Sequence, residues 1–115
     1  MELAHTDTAT ARVITVEENR IDAAIAISFK DQMRELTEGS PDRIVLDMTQ
    51  VDFIDSSGLG AIVAVMKQAC PDKSFELANL SPTVEKVFKL TRMDTVFTIH
   101  ASVEAALGNG LADAD

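Results

Sequence analysis

Apolar positions along this chain change their spacing several times, and each change marks an expected element. Arg12-Val13-Ile14-Thr15-Val16-Glu17 is rich in β-branched residues and alternates in part, which predicts a strand. The polar stretch before it, rich in Thr and Ala, predicts a loose start with room for a short edge strand. Glu18-Asn19-Arg20 reads as a turn without a glycine, in which Asn19 is the residue best able to take a left-handed conformation. Asp22 is the expected N-cap of a helix in which Ile25, Phe29, Met33 and Leu36 form one apolar stripe. Lys30, Asp31, Arg34 and Glu35 then face water, Gly39 fits the position past the helix end, and Pro41 blocks continuation.

In the centre, Ile44-Val45-Leu46 is an unbroken apolar run between Arg43 and Asp47, as expected of a strand covered on both faces. A polar turn follows at Met48-Thr49-Gln50, and Phe53-Ile54 then leads into Asp55-Ser56-Ser57-Gly58. Leu59, Ile62, Val63 and Met66 recur at the spacing of one helical face. Pro71-Asp72-Lys73 predicts a tight turn, and Phe75–Asn79 an alternating strand. Ser81 as N-cap with Pro82 behind it starts another helix, with Val84, Val87, Phe88 and Thr91 inward. Val96–Ile99 reads as the last strand. Ser102 caps a final helix with Glu104 in its first turn, Gly108 is expected to end it, and Leu111–Asp115 is expected to be mobile. Strands alternating with helices in this way predict an α/β layer around a mainly parallel sheet. Functional sites in such sheets lie at the carboxyl ends of strands, and Asp55–Gly60 follows one directly.

Length and charge narrow the classes. The 115 residues suit one domain, and 46% hydrophobic residues suit a folded one. A formal net charge of −9 argues against unspecific nucleic-acid binding and against adsorption to anionic membranes. It suits a basic protein partner or a merely solvated acidic surface. The single cysteine, Cys70, excludes an internal disulfide and reads as a small packed residue before Pro71. No apolar run approaches membrane-spanning length, and MELAHTDTAT lacks the basic start and apolar core of a secretion signal, so a cytoplasmic protein is expected.

Several chemistries lack their residues. His5 and His100 have no Cys or His at ligand spacing, so no metal site is expected. No serine sits in a G-x-S-x-G elbow, and Gly58-Leu59-Gly60 is followed by Val63 where a dinucleotide loop has glycine. Neither an enzyme nor a cofactor is expected. What remains is the turn Asp55–Gly60. Asp55, Ser56 and Ser57 can each accept hydrogen bonds from the free N–H groups of a helix start, while Gly58 and Gly60 leave its backbone open to another molecule. Such a turn serves either as a simple cap or as a place for phosphate, bound or covalently attached to a serine.

The run Val51-Asp52-Phe53-Ile54-Asp55-Ser56-Ser57-Gly58-Leu59-Gly60-Ala61-Ile62-Val63 resembles the signature of the STAS domain (sulfate transporter and anti-sigma factor antagonist). It is most like the free-standing bacterial anti-sigma factor antagonists. Ser81-Pro82-Thr83-Val84 with Val87, Phe88 and Leu90 is similar to the family's third helix, and Thr95-Val96-Phe97 with 102–107 to its last strand and helix. A glycine common in the family near residues 18–20 is missing here.

The resemblance implies one STAS domain over 1–115, loosely ordered at about 1–10 and 109–115. The implied STAS-like α/β fold has a mainly parallel β-sheet of about four to five strands with about four α-helices. It makes Ser56 a phosphoacceptor. It places Asp22, matching an aspartate beside the family's phosphosite, with Asp55, Ser57, Gly58, Leu59 and Gly60 on the partner-binding face. The implied partner is an anti-sigma factor that is also a serine kinase of the histidine-kinase-like ATPase fold, using ATP and Mg²⁺. A metal-dependent serine phosphatase reverses its action. No direct nucleic acid, membrane insertion or catalysis by this chain is implied. The alternative is a STAS subunit of a transport complex or a larger signalling assembly, and a third reading is a small-molecule or nucleotide module.

Overall fold

Each apolar segment forms its own element in a computed structural model that describes residues 2–69 and 72–112, with side chains as far as Gly108. In chain order these are β1 (Leu3–Asp7), β2 (Ala11–Val16), β3 (Arg20–Ile21), α1 (Ala26–Thr37), β4 (Arg43–Asp47), β5 (Phe53–Ile54) and α2 (Ser56–Ala69). They are followed by β6 (Ser74–Ala78), α3 (Pro82–Leu90), a 3-10 turn (Met93–Thr95), β7 (Thr98–His100) and α4 (Val103–Ala112). The main sheet has the order β1-β2-β4-β6-β7. Its first pair is antiparallel and the others are parallel. The short strands β3 and β5 pair separately, in parallel, with Arg20 opposite Phe53 and Ile21 opposite Ile54. The expected α/β fold with a mainly parallel sheet is therefore what forms, and the start of the chain supplies the edge strand β1.

The two-residue period of the strands sorts side chains between two layers. Ile14, Val16, Ile44, Leu46, Phe75 and Leu77 are buried in one cluster with Phe29 and Met33 of α1, Ala61, Ile62 and Val65 of α2, and Val84 and Phe88 of α3. Val13, Val45 and Ala78 point the other way and pack with Ala106, Val103 and Leu107 of α4. The run Ile44-Val45-Leu46 is thus covered on both faces.

The alternation expected of β6 hides a polar contact under α4. Glu76 is buried and accepts from Arg43 Nε at 2.8 Å and Nη2 at 2.6 Å, from Ser74 Oγ at 2.8 Å, and meets His100 Nε2 at 2.7 Å. Arg43 Nη2 also donates to the carbonyl of Ala106 at 2.9 Å, tying α4 to the sheet. The Arg43 guanidinium, helped by His100 and Ser74, holds the Glu76 carboxyl down at about 2.

Several local expectations are corrected. Asn19 is not left-handed: among the described residues the non-glycine positive φ angles belong to Asn79 and Arg92. The chain bends at Glu18 and Asn19 without a positive φ and enters β3, with Asp52 N–H donating to Asn19 O at 2.8 Å. Asp22 is not the N-cap of α1. Its Oδ1 accepts from Ala24 N–H at 3.1 Å and closes a turn before the helix, whose own N-cap position, Ile25, has no side-chain cap. The buried face of α2 is Gly58, Ala61, Ile62, Val65 and Ala69, with Leu59, Val63 and Met66 only partly buried beside it. The small residues Gly58, Ala61 and Ala69 on this face let the helix approach its neighbours closely.

Thr91 is exposed and its hydroxyl donates back to Val87 O at 2.8 Å. The last strand begins two residues later than expected. The left-handed Arg92 and the 3-10 turn carry the chain past an exposed Val96, and Phe97 is buried edge-on against Phe88. Ser102 does cap α4, accepting from Ala105 N–H at 2.9 Å, but the helix continues beyond Gly108 to Ala112. Gly39 lies past α1 at φ 72°, as its place in the sequence requires. The expectations for Cys70, Pro71 and residues 113–115 lie outside the described residues.

Candidate functional site

The turn Asp55–Gly60 sits where β5 ends and α2 begins. Asp55 precedes the first helical residue and acts as the cap: its Oδ1 accepts from Gly58 N–H at 2.8 Å, and its carbonyl accepts from Leu59 N–H at 2.9 Å. Its second carboxylate oxygen accepts from Ala23 N–H at 3.2 Å, so one side chain joins the start of α2 to the turn that precedes α1. Asp55 N–H reaches back to Ile21 O at 3.4 Å.

Capping was open to three residues on composition, and Asp55 takes it. Ser56 and Ser57 are exposed on the first helical turn, and neither hydroxyl hydrogen-bonds to another described residue. Free N–H groups of a helix start favour negative charge, so an anion attached to Ser56 meets a compatible backbone.

The two glycines differ. A Cβ on Gly58 would stand 2.0 Å from Ile21 O and 2.7 Å from its carbonyl carbon. Gly58 is therefore buried and lets α2 press against β3; it does not open the turn to another molecule, which corrects that expectation. Gly60 is exposed with nothing within 4 Å of a Cβ, so the space there is open. Leu59 is half-buried and packs on the main core, so it is only in part a surface residue.

Asp22 adjoins Ala23, whose N–H donates to the Asp55 carboxylate. The Asp22 carboxylate pairs with Arg20 Nε at 2.8 Å, and the Arg20 guanidinium carbon lies 5.1 Å from the centre of the Phe53 ring. Sequence reasoning missed three side chains here. A turn at Arg20 and an apolar pair at Phe53-Ile54 imply no surface role for either residue, and no pattern marks Ile27; yet Phe53 is 43% exposed and Ile27, on the first turn of α1, is 71% exposed. The two-residue period is the signal that was available: with Ile54 inward, Phe53 must point out. An open cavity of about 460 Å³ lies elsewhere, lined by Leu80, Glu85, Lys89, Asp94, Ile99, His100 and Ala101.

Comparison with known proteins places this architecture. The family model for the STAS domain matches residues 2–106. The chain is 29% identical over 87 residues to BtrV of Bordetella bronchiseptica, a candidate anti-sigma factor antagonist, covering 75% of each. The fold is shared with an anti-sigma factor antagonist of Mycobacterium paratuberculosis at TM-score 0.83 and 22% identity, over 94% of this chain and 92% of that one. It is also shared with SpoIIAA, a Bacillus cell fate determinant solved unphosphorylated (TM-score 0.73, 23% identity, 96% of this chain and 97% of that one) and phosphorylated (0.66, 22%, 94% and 98%). With the family model spanning nearly its whole length, this chain belongs to the STAS domain family.

Proposed function

We propose that this domain is an anti-sigma factor antagonist whose binding is switched by phosphorylation of Ser56. The observation that carries the reading is the division of labour at the start of α2. Asp55 supplies the cap, and the Ser56 hydroxyl stays exposed without a structural task. Support comes from the motif around Ser56 and from relatives named as anti-sigma factor antagonists, one of which exists in both phosphorylation states.

In this cycle the unphosphorylated domain binds an anti-sigma factor that is also a serine kinase of the histidine-kinase-like ATPase fold, and a sigma factor is released. The kinase transfers the γ-phosphoryl group of ATP to Ser56 Oγ with the help of Mg²⁺; the hydroxyl proton is lost and ADP leaves. A metal-dependent serine phosphatase restores the binding form. The phosphate adds about 1.5 to 2 negative charges. The helix start tolerates that charge, whereas an interface packed on a neutral hydroxyl does not. A loss of about 3 kcal/mol there is roughly a hundredfold in affinity. Asp22, Asp55, Ser57 and Gly60 border the serine on the proposed partner face, Gly58 shapes it from beneath, and Leu59 flanks it.

The partner to test is a small serine kinase of the ATPase fold, sought first among the products of neighbouring genes; transporter genes there would favour the transport-subunit reading. Ser56→Ala should stay bound to the kinase in ATP, while Ser56→Asp should bind weakly without ATP. Mass spectrometry of the treated parent chain should place one phosphate on Ser56. Equal calorimetric affinities for the parent and both variants would sink the switch, and a STAS subunit of a transport or larger signalling assembly would then lead.

A further inference from the structure

Arg20 is a basic side chain already committed within this acidic site. Its guanidinium pairs with Asp22, 57% of its side chain is exposed, and it lies over the Phe53 ring. A continuous set of contacts leads from it to the acceptor serine. The Asp22 carboxylate holds Ala24 N–H, the neighbouring Ala23 N–H is held by Asp55, and Asp55 caps the helix that Ser56 begins. The pairing of β3 with β5 sets Arg20 directly opposite Phe53, three residues before Ser56. Paired strands lie about 4.8 Å apart, and three residues span at most about 10 Å, so a long arginine side chain and a phosphoserine can meet across that interval.

From this we infer that Arg20 is the internal receptor for the Ser56 phosphate. On phosphorylation its guanidinium leaves the Asp22 carboxylate and takes the phosphate oxygens. A phosphate carries about twice the charge of a carboxylate and offers three acceptor oxygens to a guanidinium fork, so it is the stronger partner. The exchange alters more surface than the phosphate itself. It releases the Asp22 charge and draws the guanidinium away from Phe53, whose ring is then open to water. The partner consequently meets a changed acid, a changed aromatic and a new anion together. Phe53, Asp22 and Ser56 act as one surface because Arg20 links them.

The inference rests on Ser56 being the acceptor, but its test needs no kinase. Phosphoserine is installed at position 56 by genetic encoding, and its second ionisation, near pH 6 for the free group, is followed by phosphorus NMR at low salt. In the phosphorylated chain Arg20→Gln should raise that midpoint by about half a pH unit. Arg34→Gln, which removes an exposed guanidinium paired with Asp31 on α1, should leave it in place. Arg20 lies outside the core, so its replacement leaves the fold intact. A midpoint unchanged by Arg20→Gln, or moved equally by Arg34→Gln, overturns the inference. Failure of a kinase to modify Ser56 would instead count against the proposed cycle alone.

Discussion

Asp55 and Ser56 are neighbours with separate tasks, and substitution should tell them apart. Ser56→Ala removes an exposed hydroxyl outside the cap, so the domain should lose less than about 0.5 kcal/mol in urea denaturation. Asp55→Ala removes the acceptor for both Gly58 N–H and Ala23 N–H, and should lose about 1 to 2 kcal/mol. If Ser56→Ala proved the costlier change, the serine would be structural and its exposure misleading. Gly58 gives a sharper test of packing. Any Cβ there collides with the Ile21 backbone, which cannot swing aside as a flexible side chain does. Gly58→Ala should cost about 1 to 3 kcal/mol, while Gly60→Ala, with open space around it, should unfold near the parent concentration.

Among the elements, α4 is held by both apolar and polar contacts. Val103, Ala106 and Leu107 cover the second sheet face, and Arg43 joins the Ala106 carbonyl to the buried Glu76 carboxylate. The Arg43 guanidinium and the His100 and Ser74 hydrogen bonds lower the Glu76 carboxyl from 4.5 to about 2 in the folded state. A depressed carboxyl stabilises fully above its unfolded value, and that stability is lost as pH falls through the folded value. The window is therefore about pH 4.5 down to about 2, and the contribution at stake is about 3 kcal/mol. Chemical denaturation across this range should show the parent losing stability more steeply than Glu76→Gln, which cannot titrate there. Parallel pH profiles for the two proteins would show that the ionised contact contributes little.

The whole molecule carries a formal charge of −9, which left a basic partner and a solvated surface equally open. These differ in kinetics. If the partner is basic, its association with the unphosphorylated domain should slow roughly tenfold between about 50 mM and 0.5 M salt, as screening removes steering. Stopped-flow traces independent of salt would assign the charge to solvation. No helix among the described residues is long and apolar enough to cross a membrane.

Much of the architecture was legible because burial on one or two sides imposes a period on the chain. Ile44-Val45-Leu46 announced a strand covered on both faces, and Ser81-Pro82 announced the start of α3. Local residue preferences marked a helix start at Asp55–Gly60, and the resemblance to the STAS signature singled out Ser56 within it. Contacts between distant segments have no such local trace. Glu76 lies within a strand pattern that places polar residues outward, yet Arg43 and His100, from neighbouring strands, make its burial possible. Gly58 is as free a residue as Gly60 in sequence, and only the path of β3 across it closes the space. Arg20 stands thirty-six positions before Ser56, and a two-residue pairing of short strands brings it to the site. Periodicity determines which face of an element is buried; the tertiary fold decides what each face meets, because those partners arrive from elsewhere in the chain.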